Sequence, residues 1–135
     1  MNYLMCDKCF EIYNTDKIKN QRCPKYNCEG TLFTIDELIM YAIQILNRKN
    51  YFTTYCCSGH YHELDGINSY VYFVNKLTPE IRIPEGWEID SKNKKIIRYD
   101  REISDNLKFY HLAIAMESLL DWAKKLPNRG YTYES

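Results

Sequence analysis

The chain has 135 residues, 45% of them hydrophobic and 27% charged, and its eighteen basic and eighteen acidic side chains cancel. That length suits one domain, or a domain with a small module, and the composition excludes a disordered chain. Neutrality excludes a global field that would draw the protein onto nucleic acid or an anionic membrane, while leaving room for a local basic patch.

The first residues, Met1-Asn-Tyr-Leu-Met-Cys6, lack the basic-then-apolar pattern of a secretory leader. No later stretch approaches the ~18 consecutive apolar residues of a membrane span. The six cysteines therefore point to metal or thiols in a reducing compartment, and a cytoplasmic location without membrane partners is expected.

Residues 1–33 predict a zinc ribbon. Cys6-Asp-Lys-Cys9 can wrap a tight turn and send both thiolates to one ion. Thirteen residues later, Cys23-Pro-Lys-Tyr-Asn-Cys28 forms a wider knuckle. Tetrahedral zinc takes four thiolates at about 2.3 Å, which two knuckles supply; iron is the alternative ion for a four-cysteine set. Gly30 is expected to close the second knuckle with a positive φ, ahead of a strand from Thr31. One zinc per chain, held by Cys6, Cys9, Cys23 and Cys28, would be structural, because four protein ligands leave no open position. So short a segment cannot build an adequate apolar core, and metal binding would supply its folding energy.

Residues 34–127 predict an α+β domain. Thr34-Ile-Asp-Glu37 reads as a capping box. Ile35, Leu38, Ile39, Ala42, Ile43 and Leu46 then follow helical spacing, with an end expected near residues 47–50. Tyr51–Cys57 is aromatic and β-branched, hence a strand. Simple alternation places Phe52, Thr54 and Cys56 on one face and Tyr51, Thr53, Tyr55 and Cys57 on the other. The thirteen tyrosines of the chain fit A/T-biased coding; their functional counterpart is a surface of stacking rings.

Ser58-Gly59 breaks the strand, and residues 60–68 form a polar loop before a strand over Ser69–Val74. Amides around Ser58 and Gly59 can receive a phosphate or carboxylate. Cys57, Ser58, Gly59, His60 and His62 are the candidate ligand-binding residues. Cys57 with His60 as nucleophile and base, or a second metal on Cys56 or Cys57 with His60 and His62, are the other chemistries available. An ordinary tight turn with surface histidines is the plain one.

Tyr51-Phe-Thr-Thr-Tyr-Cys-Cys-Ser-Gly-His60 resembles the Thr-Thr-Ser-Ser-Cys-Ser-Gly-Arg signature of the wybutosine-synthesis tRNA methyltransferase family. Thr53, Thr54, Cys57, Ser58 and Gly59 match; His60 stands at the arginine. The resemblance implies S-adenosylmethionine and an RNA substrate. The order of zinc knuckles, helix and Cys-Cys-Ser-Gly-His motif also resembles small zinc-ribbon proteins of low-GC bacteria and their phages.

Thr78–Asp90, with two prolines and a glycine, predicts a loop with short edge strands. Trp87–Asp90 and Lys95–Tyr99 flank a hairpin turn, and Lys92, Lys94, Lys95, Arg98 and Arg101 make this a charged edge hairpin able to touch phosphates. A long helix is expected over 104–126, stopped by Pro127. Its buried face would be Phe109, Leu112, Ala113, Met116, Leu120 and Ala123, widened by Tyr110, Ile114 and Leu119. Lys108, His111, Ser118 and Lys125 would lie on its polar side. Residues 128–135 read as a loose tail.

The expected architecture is a zinc ribbon followed by a two-layer α+β domain of two long helices on a small, mostly antiparallel sheet of about four strands. The function this favours is a zinc-stabilised, non-catalytic binding protein, of phage or bacterial accessory type, that takes a nucleotide-like or phosphate-bearing molecule or RNA at residues 57–62. The alternatives are a methyltransferase-like RNA-modifying enzyme and a protein-interaction adaptor acting through the zinc ribbon.

Overall fold

The computed structural model describes residues 3–14, 21–57, 59, 66–101 and 105–129. It is an α+β structure with two antiparallel sheets. In chain order, β1 is Tyr3–Cys6, β2 Ile12–Asn14, β3 Leu32–Ile35, α1 Met40–Arg48, β4 Thr53–Cys57, β5 Gly66–Phe73, β6 Glu88–Ile89, β7 Lys95–Arg101 and α2 Asp105–Lys125. The first sheet has the order β2-β1-β3 and the second β4-β5-β7-β6.

The expected capping box does not form. Thr34 and Ile35 are paired with Leu4 and Tyr3 across the β1–β3 ladder, and a backbone held in a ladder cannot also begin a helix. The Asp36 carboxylate instead accepts the Leu38 amide at 2.9 Å. The chain turns there, and α1 starts at Met40 without a side-chain cap. Leu38, expected in the apolar stripe, is 43% exposed, while Ile39, Met40, Ala42, Ile43 and Leu46 are buried.

The other end of α1 is closed by a Schellman arrangement. Asn50 takes φ 72°, the Asn50 amide donates to the Asn47 carbonyl at 3.0 Å, and the Tyr51 amide donates to the Leu46 carbonyl at 2.8 Å. Asn47 is buried and clasps the next strand. Its amide nitrogen donates to the Ile43 carbonyl and the Thr53 hydroxyl, and its oxygen accepts the Thr53 amide.

Strand β4 does not alternate simply. Thr53 stands opposite Phe73, but Cys56 stands opposite Val71 and Cys57 opposite Tyr70, so β4 spends three steps against two of β5. That is a bulge. Residues paired across a ladder share a face, so Cys56 joins Thr53 on the side of buried Val71 and Phe73, and Cys57 lies on the other side with Tyr70 and Tyr72. The bulge thus undoes the expected grouping of Cys56 with Thr54.

The expected charged hairpin is β6–β7, at one end of the second sheet. Strand β7 pairs with β5 over seven residues and with β6 over Ile96 and Ile97 alone. Its turn is built by Asp90, whose carboxylate accepts the Lys94 and Lys95 amides at 2.9 and 3.0 Å, with Asn93 at φ 58°.

One apolar core joins both halves of the chain. It includes Met5 and Ile35 of the first sheet, Ile39, Ile43 and Leu46 of α1, Val71, Phe73 and Ile96 of the second sheet, and Leu112, Ala115, Leu119 and Trp122 of α2. The buried face of α2 is rotated from the expected one. Phe109 and Tyr110 are 62% and 64% exposed, whereas Lys108, expected among the polar residues, is 2% exposed. The sheet and α1 meet the helix along residues 112–126, and that contact, not apolar content, sets which side is inward.

The end of α2 is held by the start of the β4 segment. The Lys49 ammonium donates to the carbonyls of Ala123, Lys124 and Leu126 at 2.8, 2.7 and 2.7 Å. Beyond the helix, the Tyr51 hydroxyl donates to the Pro127 carbonyl, the Asn50 side chain donates to the Arg129 carbonyl, and the Arg129 amide donates to the Lys49 carbonyl, each at 2.8 Å. Residues 130–135 lie outside the described residues.

Candidate functional site

Cys6 ends β1, and the chain folds back at once: the Phe10 amide donates to the Cys6 carbonyl at 3.1 Å, and Phe10 itself takes φ 62°. This turn aims the amides of Lys8 and Cys9 at the Cys6 sulfur, at 3.3 and 3.5 Å. The second knuckle is anchored by the Cys23 amide on the Gly30 carbonyl at 3.0 Å and the Cys28 amide on the Lys25 carbonyl at 3.1 Å. The Asp7 carboxylate accepts the Thr31 amide at 2.9 Å and ties the two knuckles together.

The expected left-handed glycine at residue 30 is not found. The left-handed residue of this knuckle is Asn27, at φ 59°. Gly30 is needed for space: a Cβ there would lie 2.1 Å from the Cys6 sulfur. The backbone passes against the sulfur where any side chain would stand.

The four sulfurs of Cys6, Cys9, Cys23 and Cys28 lie within 4.8 Å of one another. Cys6 and Cys28 are 3.6 Å apart and Cys9 and Cys23 3.7 Å. A disulfide needs about 2.05 Å, and none joins the six cysteines. A tetrahedron with arms of about 2.3 Å has edges of about 3.8 Å, the spacing of four thiolates around zinc. The donor set and its geometry therefore fit one thiophilic metal ion.

The electrostatics of the bare thiols agree. Burial, with hydrogen bonds from its cysteine neighbours, pushes Cys9 up to about 12. The Gly30 amide lowers Cys28, but burial and the thiols of Cys6 and Cys23 outweigh it and leave Cys28 raised. Burial also opposes ionisation of Cys23, yet the Tyr13 hydroxyl at 3.4 Å, the Lys25 amide and the thiols of Cys28 and Cys6 bring it down to about 7. Burial and the charge of Cys23 keep the Tyr13 hydroxyl protonated and donating. One thiol thus ionises readily, and a cation is what makes further thiolates affordable in so small a volume.

The second candidate site is described only in part. Ser58, His60 and His62 lie outside the described residues. Cys57 and Gly59 are brought together: the Gly59 amide donates to the Cys57 sulfur at 3.4 Å, and Gly59 is buried with φ 106°, a conformation that requires glycine. Cys56 turns to the opposite face and packs against the core; burial, with lesser contributions from Cys57 and Asp36, pushes it up to about 11. Beside Cys57 the outer face carries Tyr70 and Tyr72, edge-on at 5.6 Å, with the Lys95 ammonium 5.1 Å above the Tyr72 ring.

A third feature had no signal in the sequence beyond the paired prolines of residues 78–90. A groove of about 660 Å³ lies between residues 80–85 and α2. His111, expected at the surface, is half-buried and stands edge-on to Tyr110 at 6.2 Å.

Among the described residues no helix is long and apolar enough to cross a membrane. No family model, no curated protein and no solved structure matches the chain.

Proposed function

We propose that the chain is a zinc-stabilised binding protein. The observation that carries this is the clustering of the Cys6, Cys9, Cys23 and Cys28 sulfurs within 4.8 Å at near-tetrahedral spacing. In this reading residues 1–33 are a zinc ribbon, the ion is zinc, and it is structural: every tetrahedral position is taken by a cysteine, leaving none for water or substrate. The protein works in the reducing cytoplasm, where the thiols stay available to the metal.

The ligand is nucleotide-like or phosphate-bearing, or RNA, received where β4 ends at residues 57–62. Gly59 supports this, because its φ of 106° turns the chain where β4 ends, the kind of backbone in which amides gather around an anion. The outer face beside Cys57 supports it too, since Tyr70 and Tyr72 offer rings for bases and Lys95 a cation.

Metal analysis should return one zinc per chain. Fluorescence anisotropy with labelled single-stranded RNA, and calorimetry with nucleotides, then read the ligand. Gly59→Val should abolish binding at unchanged zinc content, and Tyr72→Ala should weaken it about tenfold, the size of one lost base stack. Unchanged affinity in both variants would sink the binding loop. Titrating S-adenosylmethionine in parallel separates the enzymatic reading, which needs saturable binding of that cofactor.

A further inference from the structure

The outer side of α2 carries an apolar stripe that the core does not use. Leu107, Tyr110 and Ile114, at helical spacing, are 47%, 64% and 38% exposed. Ile114 is also the first α2 residue lining the groove between the helix and residues 80–85, whose apolar lining includes Ile81, Ile83 and Trp122. Stripe and groove are therefore one continuous apolar surface along the helix.

The groove is held open by its own walls. The Trp122 indole donates to the Arg82 carbonyl, and the Ser118 hydroxyl donates to the Glu85 carbonyl at 2.8 Å. These bonds fix the loop at two points along the helix, so the surface stands formed before any ligand arrives. Its rim is acidic. Glu80, Glu85, Glu117 and Asp121 outnumber Arg82 and Lys125, in a chain whose charges balance overall.

We infer that this surface binds a basic amphipathic helix of a partner protein. An elongated apolar track beside a helix accepts apolar side chains spaced one turn apart, and flanking Lys or Arg would meet the acidic rim. Large apolar side chains on the partner helix serve as the anchors. Recognition here is separate from the metal centre and from the end of β4.

The test uses the full chain loaded with zinc and a labelled synthetic Leu/Lys amphipathic helix of about sixteen residues, about 24 Å long at a rise of roughly 1.5 Å per residue. Two further probes are a Leu/Glu helix with the same apolar face and a scrambled Leu/Lys peptide with no face. The Leu/Lys helix should bind saturably and shift Trp122 emission, while the other two bind at least about tenfold more weakly. Ile114→Glu, at an exposed position, should reduce affinity about tenfold with an unchanged circular dichroism spectrum. Glu117→Lys combined with Asp121→Lys should reverse the preference toward the Leu/Glu helix. Equal binding of the scrambled peptide, or wild-type affinity in both variants, overturns the inference. So does concentration-dependent dimerisation lost in Ile114→Glu, which would make a second copy of the chain the occupant.

Discussion

At the scale of single residues, the position with least freedom is Gly30. Its φ is not in the left-handed region, so an alanine there suffers no backbone strain; it collides with the Cys6 sulfur instead. Gly30→Ala should lower metal affinity about ten- to hundredfold, the range seen when the surroundings of a metal ligand are disturbed. Competition against a chromophoric chelator measures this, and an unchanged constant would refute the close approach. Asp90 offers a pH test. Burial opposes its charge, but the amides of Lys95 and Lys94 and the Lys95 charge outweigh burial and hold its carboxyl below the usual range. A carboxylate depressed in the folded state stabilises above its unfolded value of about 3.9 and loses that contribution as pH falls through the lower folded value. Asp90→Asn should therefore be less stable at neutral pH, with a smaller fall in stability on acidification below about pH 4 than the parent, by urea denaturation at each pH.

At the scale of elements, the four-cysteine cluster was legible in the sequence because knuckle spacing is a local covalent fact. Helix existence was legible for the same kind of reason, through periodicity over many residues. What failed were particular choices that a partner element decides. Thr34 and Glu37 fit a cap, but Thr34 was claimed by Leu4 across a ladder. Phe109 and Lys108 were misassigned because the rotation of α2 is set by the sheet and α1 beneath it. The bulge in β4 leaves no mark on the sequence, and the groove beside α2 only the prolines of residues 78–90, since both arise from how separate segments meet. Lys49 belongs here too. Its three donations to carbonyls at the end of α2 place a cation at the negative pole of the helix. Lys49→Met should cost about 1–3 kcal/mol, read as a lower urea midpoint at unchanged slope; an unchanged midpoint would show those bonds contribute nothing net.

At the scale of the whole molecule, the four-cysteine cluster is not an appendage. Met5, next to Cys6, is fully buried in the main core. The Gln44 side chain donates to the Phe10 carbonyl at 2.8 Å and Arg48 to the Cys9 carbonyl at 3.3 Å. Phe10 meets Phe52 with ring centroids 6.4 Å apart. Removing the metal with a chelator should therefore lower the melting temperature of the entire chain in one transition, because an ion that binds only the folded state stabilises everything that unfolds with its site. A second transition at the original temperature would show that the centre folds separately.

The bulge in β4 has a consequence for length. Five residues of β4 occupy the frame of four, so the strand can lose one residue at exposed Thr54 and fall into regular pairing without changing its parity. Cys56 would still look inward and Cys57 outward. Thiol alkylation reads this orientation. In the Thr54 deletion, Cys57 should still be modified ahead of Cys56, as burial of the Cys56 thiol demands; reversed order would mean the frame had slipped. Strand β4 carries its insertion in register, as a silent extra count.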